Sequence, residues 1–268
     1  MKLTVMTFNL RREGLDDGLD MWMLRKQATV KAIREADPWI VGTQEGYSEM
    51  LRYMERELPY FSWLGSGRHG GNRNEHNAIF YRRDLLEVVE QGQFWLSEEP
   101  DVPASRSWGS SHSRICTWAH FRAIAGDGGE FAVFNTHLDY RSQEARERGI
   151  GLVWDAMRQF RERKPLPLVL TGDLNSEPDT AVVTFLRGGG GLPHEPETRC
   201  ALKDAYSALD GEPGLTFHHF KGGESGEPID YIFVSPEVSV SGTAVNRSRY
   251  GGKWPSDHYP VKTVLHFS

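Results

Sequence analysis

Residues 166–178 read Leu-Pro-Leu-Val-Leu-Thr-Gly-Asp-Leu-Asn-Ser-Glu-Pro, an apolar run that ends abruptly at Asp173 and Asn175. A short apolar run bounded by prolines and turn formers predicts a buried strand, here Leu166–Leu170. A buried strand must carry its charged residues at its ends, because a lone charge inside the sheet would lack water and partners. The same pattern recurs along the chain. Leu3–Phe8 runs into Asn9, Trp39–Thr43 into Gln44-Glu45, and Phe131–Thr136 into His137. Asp230 opens a strand in Pro-Ile-Asp-Tyr-Ile-Phe, and Asp257-His258 precede the last strand, Val261–Phe267. Polar groups at strand termini gather at the rim of a sheet, where a pocket is expected. Each alone reads equally as a turn former or helix cap; the set is what carries information.

Between these strands the spacing predicts helices. Leu24, Ala28, Ile33 and Ala36 share one face of a helix over 24–36. Asp37-Pro38 stops it, since the residue before a proline is pushed out of the α region. Tyr47–Glu57, Glu144–Arg161 and Thr180–Arg187 read as further helices. Ala78–Tyr81 and Val88–Phe94 read as paired strands, as do Ile115–Ala123 and Phe131–Thr136 around the turn Gly126-Asp127-Gly128-Gly129; Ile229–Val234 is another strand. Gly188–Gly191 must be a loop. Motifs lie on both sides of it, so it reads as an insertion within one domain spanning residues 1–268. Many strands follow one another directly, whereas a purely parallel sheet needs a crossover between most of them. The expectation is an α/β sandwich with extensive antiparallel pairing and helices outside.

Composition narrows the function classes. With 268 residues, 38% of them hydrophobic, and 8 Trp, the chain has enough apolar area to offset chain entropy, so disorder is excluded. Mean hydropathy is -0.52, and no window approaches the ~20 apolar residues of a membrane span. The opening Met-Lys-Leu-Thr-Val-Met-Thr-Phe-Asn-Leu is too soon polar for a signal peptide. Cys116 and Cys200 are too few for a disulfide framework or a cysteine zinc site, and read as structural thiols of a cytoplasmic protein. A net charge of -6 argues against gripping long nucleic acid electrostatically, while leaving room for a local basic cleft.

The strand-end set holds carboxylates, amide oxygens and two histidines, but no cysteine. Hard oxygen donors suit Mg²⁺, Mn²⁺ or Ca²⁺, and histidine is the usual proton carrier at neutral pH. Such an inventory matches phosphoester hydrolysis, in which a cation neutralises phosphate charge and water attacks in line.

The ordered series Thr-Phe-Asn-Leu (7–10), Thr-Gln-Glu (43–45), Asn-Thr-His-Leu-Asp (135–139), Thr-Gly-Asp-Leu-Asn-Ser-Glu-Pro (171–178), Ile-Asp-Tyr-Ile-Phe-Val-Ser (229–235) and Pro-Ser-Asp-His-Tyr-Pro-Val (255–261) resembles the endonuclease/exonuclease/phosphatase, or DNase I-like, superfamily. The resemblance runs from Asn9 to Val261. It implies a four-layered α/β sandwich with two mixed, mostly antiparallel sheets and helices outside. It also implies a metal-dependent phosphoesterase. On that resemblance Asn9, Glu45 and Asp257 would hold the ion, Mg²⁺ first and Mn²⁺ or Ca²⁺ as alternatives. Asp173 and Asn175 would position water and the scissile phosphate. His258 would be the general base or the transition-state partner of a phosphate oxygen, oriented by Asp230. His137 would bind phosphate or assist the leaving oxygen. Arg114, in Ser-His-Ser-Arg-Ile-Cys-Thr-Trp, resembles an arginine placed near the phosphate, where a guanidinium fork suits its oxygens. Glu75, in Asn-Glu-His-Asn-Ala-Ile-Phe-Tyr, would hydrogen-bond His137, fix its tautomer and raise its pKa. Asn77 would line the same cleft and Arg106 and Trp108 could flank a substrate, whereas His69, His76 and His112 read as plain loop residues.

Substrate class is only partly constrained. His137 departs from the tyrosine-bearing motif of the abasic-site repair branch. The polar turn at 126–129 is unlike the apolar hairpin of the sphingomyelinase branch, so no membrane partner is expected. A small phosphoester remains: a nucleotide end, a dinucleotide-like molecule, or a sugar or inositol phosphate. The alternative is a non-catalytic module that kept the fold, which should have lost part of the constellation. Oligomeric state is open.

Overall fold

The computed structural model describes residues 1–14, 16–126 and 128–267. Asp127, in the expected turn at 126–129, lies outside the described residues. The chain opens with β1 (Lys2–Asn9), crosses through α1 (Trp22–Ala36) to β2 (Ile40–Gln44), and continues into α2 (Ser48–Glu57), β3 (Phe61–Leu64) and β4 (Ile79–Arg82). It passes to β5 (Leu86–Trp95), β6 (Ile115–Ala123) and β7 (Glu130–His137), then through α3 (Gln143–Arg163) to β8 (Leu168–Asp173). After α4 (Ala181–Leu186) come β9 (Lys203–Asp204), β10 (Asp230–Val234), β11 (Ser239–Val245) and β12 (Val261–His266). The strands form two six-stranded sheets, ordered β11-β12-β1-β2-β4-β3 and β5-β6-β7-β8-β10-β9. Among the described residues only β1–β2 and β7–β8 run parallel. Each of those pairs is joined through a helix, because a hairpin cannot connect parallel neighbours.

Side-chain alternation builds the layers. Leu3 and Val5 of β1 face Phe131 and Val133 of β7 in a core between the sheets. The alternate residues Met6 and Phe8 pack outward on Val30 and Ile33 of α1 and Met50 and Met54 of α2. On the other side Ala132 and Phe134 meet Ile150, Val153 and Met157 of α3, with Val182 and Phe185 of α4. The result is the four-layered α/β sandwich with helices outside. Asp37 ends α1 in the left-handed region, immediately before Pro38. Where the sheets approach closely, β2 carries Gly42, and a Cβ there would overlap Thr171 Oγ1 of β8.

Some expectations need correction. β4 and β5 do not pair: β4 lies between β2 and β3, and β5 pairs with β6 in the other sheet. The short link between them crosses from sheet to sheet. Strands β3, β9 and β11 carried no recognisable pattern. β11 is a half-exposed edge strand of Ser-Val-Ser-Gly-Thr-Ala-Val with an irregularity at Val240/Gly242, so it lacks an apolar run. The β6–β7 pairing is as expected. Among the described residues, no helix is long and apolar enough to cross a membrane.

Register places the polar strand ends together. Asn9 lies beside Gln44, His137 beside Asp173, and Asp173 opposite Asp230.

Candidate active site

At that shared rim, His258 donates from Nδ1 to Asp230 Oδ2 at 2.8 Å. Its Nε2 faces Asp173 Oδ2 at 3.8 Å. Burial opposes the charged ring, but Asp230, Asp173 and Asp257 outweigh it and push His258 up to about 10. Burial and the neighbouring Asp230 push Asp173 up to about 7, against the pull of His258 and of hydrogen bonds from Asn9 and Asn175. Asp230 thus favours the charged imidazolium of His258, and burial beside Asp230 favours the protonated form of Asp173. Phe217 stacks on the His258 ring at 4.7 Å between centroids.

The acidic corner adds Glu45 and Asp257. Glu45 sits one residue past β2 with a left-handed backbone, φ 62°, a conformation that non-glycine residues hold chiefly where the surroundings enforce it. Its Oε2 accepts from the Arg12 backbone N–H at 3.0 Å and its Oε1 from Asn9 Nδ2 at 3.2 Å. Burial would raise Glu45, but those donors, His258 and Arg11 bring it below the usual range. Burial raises Asp257; Glu45 adds to this, while His258 and Arg11 oppose it. Asn9 also donates to Asp173 Oδ2 at 2.9 Å, and its Oδ1 accepts from the Arg11 backbone N–H at 3.0 Å. Its amide therefore turns nitrogen toward the carboxylates and oxygen toward the Arg11 backbone.

These residues fit a hard divalent cation. Carboxylates of Glu45, Asp173 and Asp257 line one cavity, no sulfur is among them, and burial raises Asp173 and Asp257, a desolvation cost that a bound cation would offset. Asp230 Oδ1 is buried without a hydrogen-bond partner among the described residues. Ligand atoms of Asp173, Asp230 and His258 also lie within 4.8 Å of one another. His258 Nδ1 is already committed to Asp230, so that trio reads as a proton file.

The cavity is also lined by Arg11, Arg12, Arg68 and Arg114. Glu75 does not reach His137: its Oε2 accepts from Arg68 Nη1 at 2.7 Å, and its Oε1 faces Arg12 Nε at 3.6 Å. Glu75 follows Asn74 and precedes the buried His76, whose backbone pairs with Gly46 and Gly67; this pins the loop so that the carboxylate meets Arg68. Burial raises Glu75 and Arg68 pulls it back. His137 lies 3.4 Å from Asp173 Oδ2 instead. Burial, Arg114 and His258 hold His137 well below the usual range, the reverse of the shift a Glu75 partner would give. Arg114 is buried, with Nε 3.5 Å from Asp139 Oδ2. Asp139 organises that loop by accepting from the backbone N–H groups of Ser111, Arg141 and Ser142. Asn175, left-handed at φ 45°, is anchored by Nδ2 donating to Leu138 O at 3.0 Å.

Together these groups line a cavity of about 430 Å³, within the size range of small-molecule sites. Of the expected set, Glu45, Glu75, Arg114, His137, Asp173, Asn175, Asp257 and His258 line it. Asn9 and Asp230 lie just behind, each hydrogen-bonded to a lining residue. Asn77 donates to Ile115 O at 2.7 Å and edges a small adjoining cleft. Arg106 and Trp108 do not line the cavity, whereas His112 does; burial, Arg68 and Arg114 push His112 down to about 4. Arg12, Arg68, Tyr140 and Phe217 were missed. Each sits in a loop whose course depends on tertiary packing, and none carries a local signal.

A model of the endonuclease/exonuclease/phosphatase family matches residues 6–258, and the chain belongs to that family. A family protein of Bacteroides thetaiotaomicron superposes with TM-score 0.90 at 36% identity, over 100% of this chain and 98% of that one. A mannosyl-6-phosphatase of the same organism also gives TM-score 0.90 and 36% identity, over 99% of this chain and 100% of that one. Among curated proteins, Protein angel of Drosophila melanogaster is 23% identical over 269 residues, 91% of this chain and 72% of that protein.

Proposed function

We propose that this chain is a divalent-metal-dependent hydrolase of a small, hydroxyl-rich phosphomonoester. The carrying observation is the Asp230–His258–Asp173 file at the floor of a cavity of about 430 Å³. The cavity's size favours a compact substrate over a polymer. The buried arginines beside His137 favour the dianionic charge of a monoester. The similarity to a mannosyl-6-phosphatase supports a sugar phosphate.

In this reading Glu45 and Asp257 hold the cation, and Asn9 positions Glu45. The cation, when bound, supplies neutralisation of phosphate-oxygen charge. Asn175, Arg114 and neutral His137 donate hydrogen bonds to phosphate oxygens, and the leaving oxygen takes its proton from water. Asp173 accepts the proton of the attacking water. His258, kept protonated by Asp230, stabilises the charge that grows on phosphorus-bound oxygen. The reading is tested by hydrolysis of an aryl phosphomonoester and an aryl phosphodiester, with Mg²⁺ and with EDTA. Mg²⁺-dependent turnover that is faster on the monoester is expected. Faster diester cleavage would overturn the monoester assignment, and no turnover of either would leave a binding module.

A further inference from the structure

We propose that Glu75, flanked by Arg68 and Arg12, is the subsite that reads hydroxyl groups on the alcohol portion of the substrate. The proposal rests on the phosphomonoesterase reading and assigns specificity to residues that take no part in the chemistry.

The cavity mixes charges of both signs. Glu45, Asp173 and Asp257 line it with Arg11 3.5 Å from Asp257, while Glu75 is paired with Arg68 and faces Arg12. The expected partner of Glu75 was His137, and the structure leaves Glu75 without that task. Glu75 is 7% exposed and Arg114 6% exposed, yet both line the cavity. Arg114 Nε and Arg68 Nε are buried without hydrogen-bond partners among the described residues. Glu75 Oε1 stands 3.6 Å from Arg12 Nε, beyond good hydrogen-bond length, so it can accept from a ligand.

The mixture of signs selects the ligand chemistry. A wall of arginines alone would suit a second phosphate or carboxylate. A carboxylate in its midst repels such an anion and, when ionised, can only accept. A hydroxyl donates to Glu75 and accepts from a neighbouring guanidinium at once. Two adjacent hydroxyls can bridge the pair. A sugar or polyol fits this wall; an aryl or alkyl group leaves its buried polar atoms unpaired, which is the strongest basis for discrimination between substrates.

The test uses the full chain with Mg²⁺, mannose 6-phosphate, and its monodeoxy analogues. For wild type, at least one missing hydroxyl should lower kcat/KM by about tenfold or more. In Glu75→Ala that penalty should shrink to within about twofold, since the acceptor that read the hydroxyl is removed. Arg12→Met, at a half-exposed position, should shrink the same penalty and serves if Glu75→Ala fails to fold. Indifference of wild type to every deoxy analogue would overturn the subsite, as would an undiminished penalty in the variants. Turnover of aryl phosphate but of no hexose phosphate would sink the subsite and spare the phosphoesterase reading. Turnover of neither would sink both.

Discussion

His258 Nδ1 and Asp230 Oδ2 lie 2.8 Å apart, with both side chains buried. The carboxylate can only accept, so the imidazole donates, and its far nitrogen is turned to the cavity. If the two act as one unit, their losses are not additive. His258→Ala should lower kcat by roughly 10²–10⁴, and His258→Ala/Asp230→Asn should be scarcely worse. Multiplicative losses would assign the residues to separate steps.

The same pair fixes a pH dependence. A histidine raised to about 10 contributes stability that is fully present below its unfolded value, roughly 6.5, and is lost as pH rises through the folded value. With chelator present, stability to urea should therefore fall between about pH 7 and 10, and the fall should be smaller in Asp230→Asn. Identical slopes in both proteins would contradict the shift.

Glu45 is expected to hold the cation. Glu45→Gln should keep the fold, because the isosteric amide can still accept from the Arg12 backbone N–H, while Mg²⁺ or Mn²⁺ binding weakens at least about tenfold. Calorimetric titration of both proteins reads this directly. Equal affinities would remove Glu45 from the ligands.

Asp173 has the opposite sign from an ordinary ion-paired carboxylate. Raised to about 7, its ionised form costs stability between its unfolded value, roughly 3.9, and neutrality. Asp173→Asn should lose activity and, without metal, melt higher than wild type at pH 8. A lower melting temperature there would show that its hydrogen bonds outweigh its burial.

Arg25 ties the site loops from behind. Fully buried, it donates to the carbonyls of Asp20, Arg11 and Pro255 at 2.8, 2.6 and 2.8 Å. Arg11 and Pro255 belong to the segments that carry Asn9 and Asp257. Arg25→Met should cost roughly 2–5 kcal/mol, from buried carbonyls left unpaired. A change below about 1 kcal/mol in urea unfolding would contradict this.

The legible part of the site was the part written at strand ends. Asn9, Glu45, His137, Asp173 and Asp230 occupy or adjoin strand termini, and alternation within those strands marks the four layers. The basic wall was not legible as a unit, because Arg12, Arg68 and Arg114 reach the cavity from three separate loops. Glu75 was found but given the wrong partner: its neighbours are set by how the 65–77 loop packs. Nothing local in the sequence marks Arg25 as the residue that α1 buries against two loops. The edge strand β11 escaped because half-exposed serine and glycine carry no periodic signal.

The central step is attack of water on phosphorus. Hydrolysis of mannose 6-phosphate in ¹⁸O-labelled water should place the label in inorganic phosphate and none in the released sugar. The reaction should require Mg²⁺ or Mn²⁺, stop with EDTA, and fall with His258→Ala. Label in the sugar would mean carbon–oxygen cleavage; phosphate release undiminished by EDTA and by His258→Ala would place the reaction outside this site. Either result would contradict metal-dependent attack on phosphorus beside Asp173 and His258.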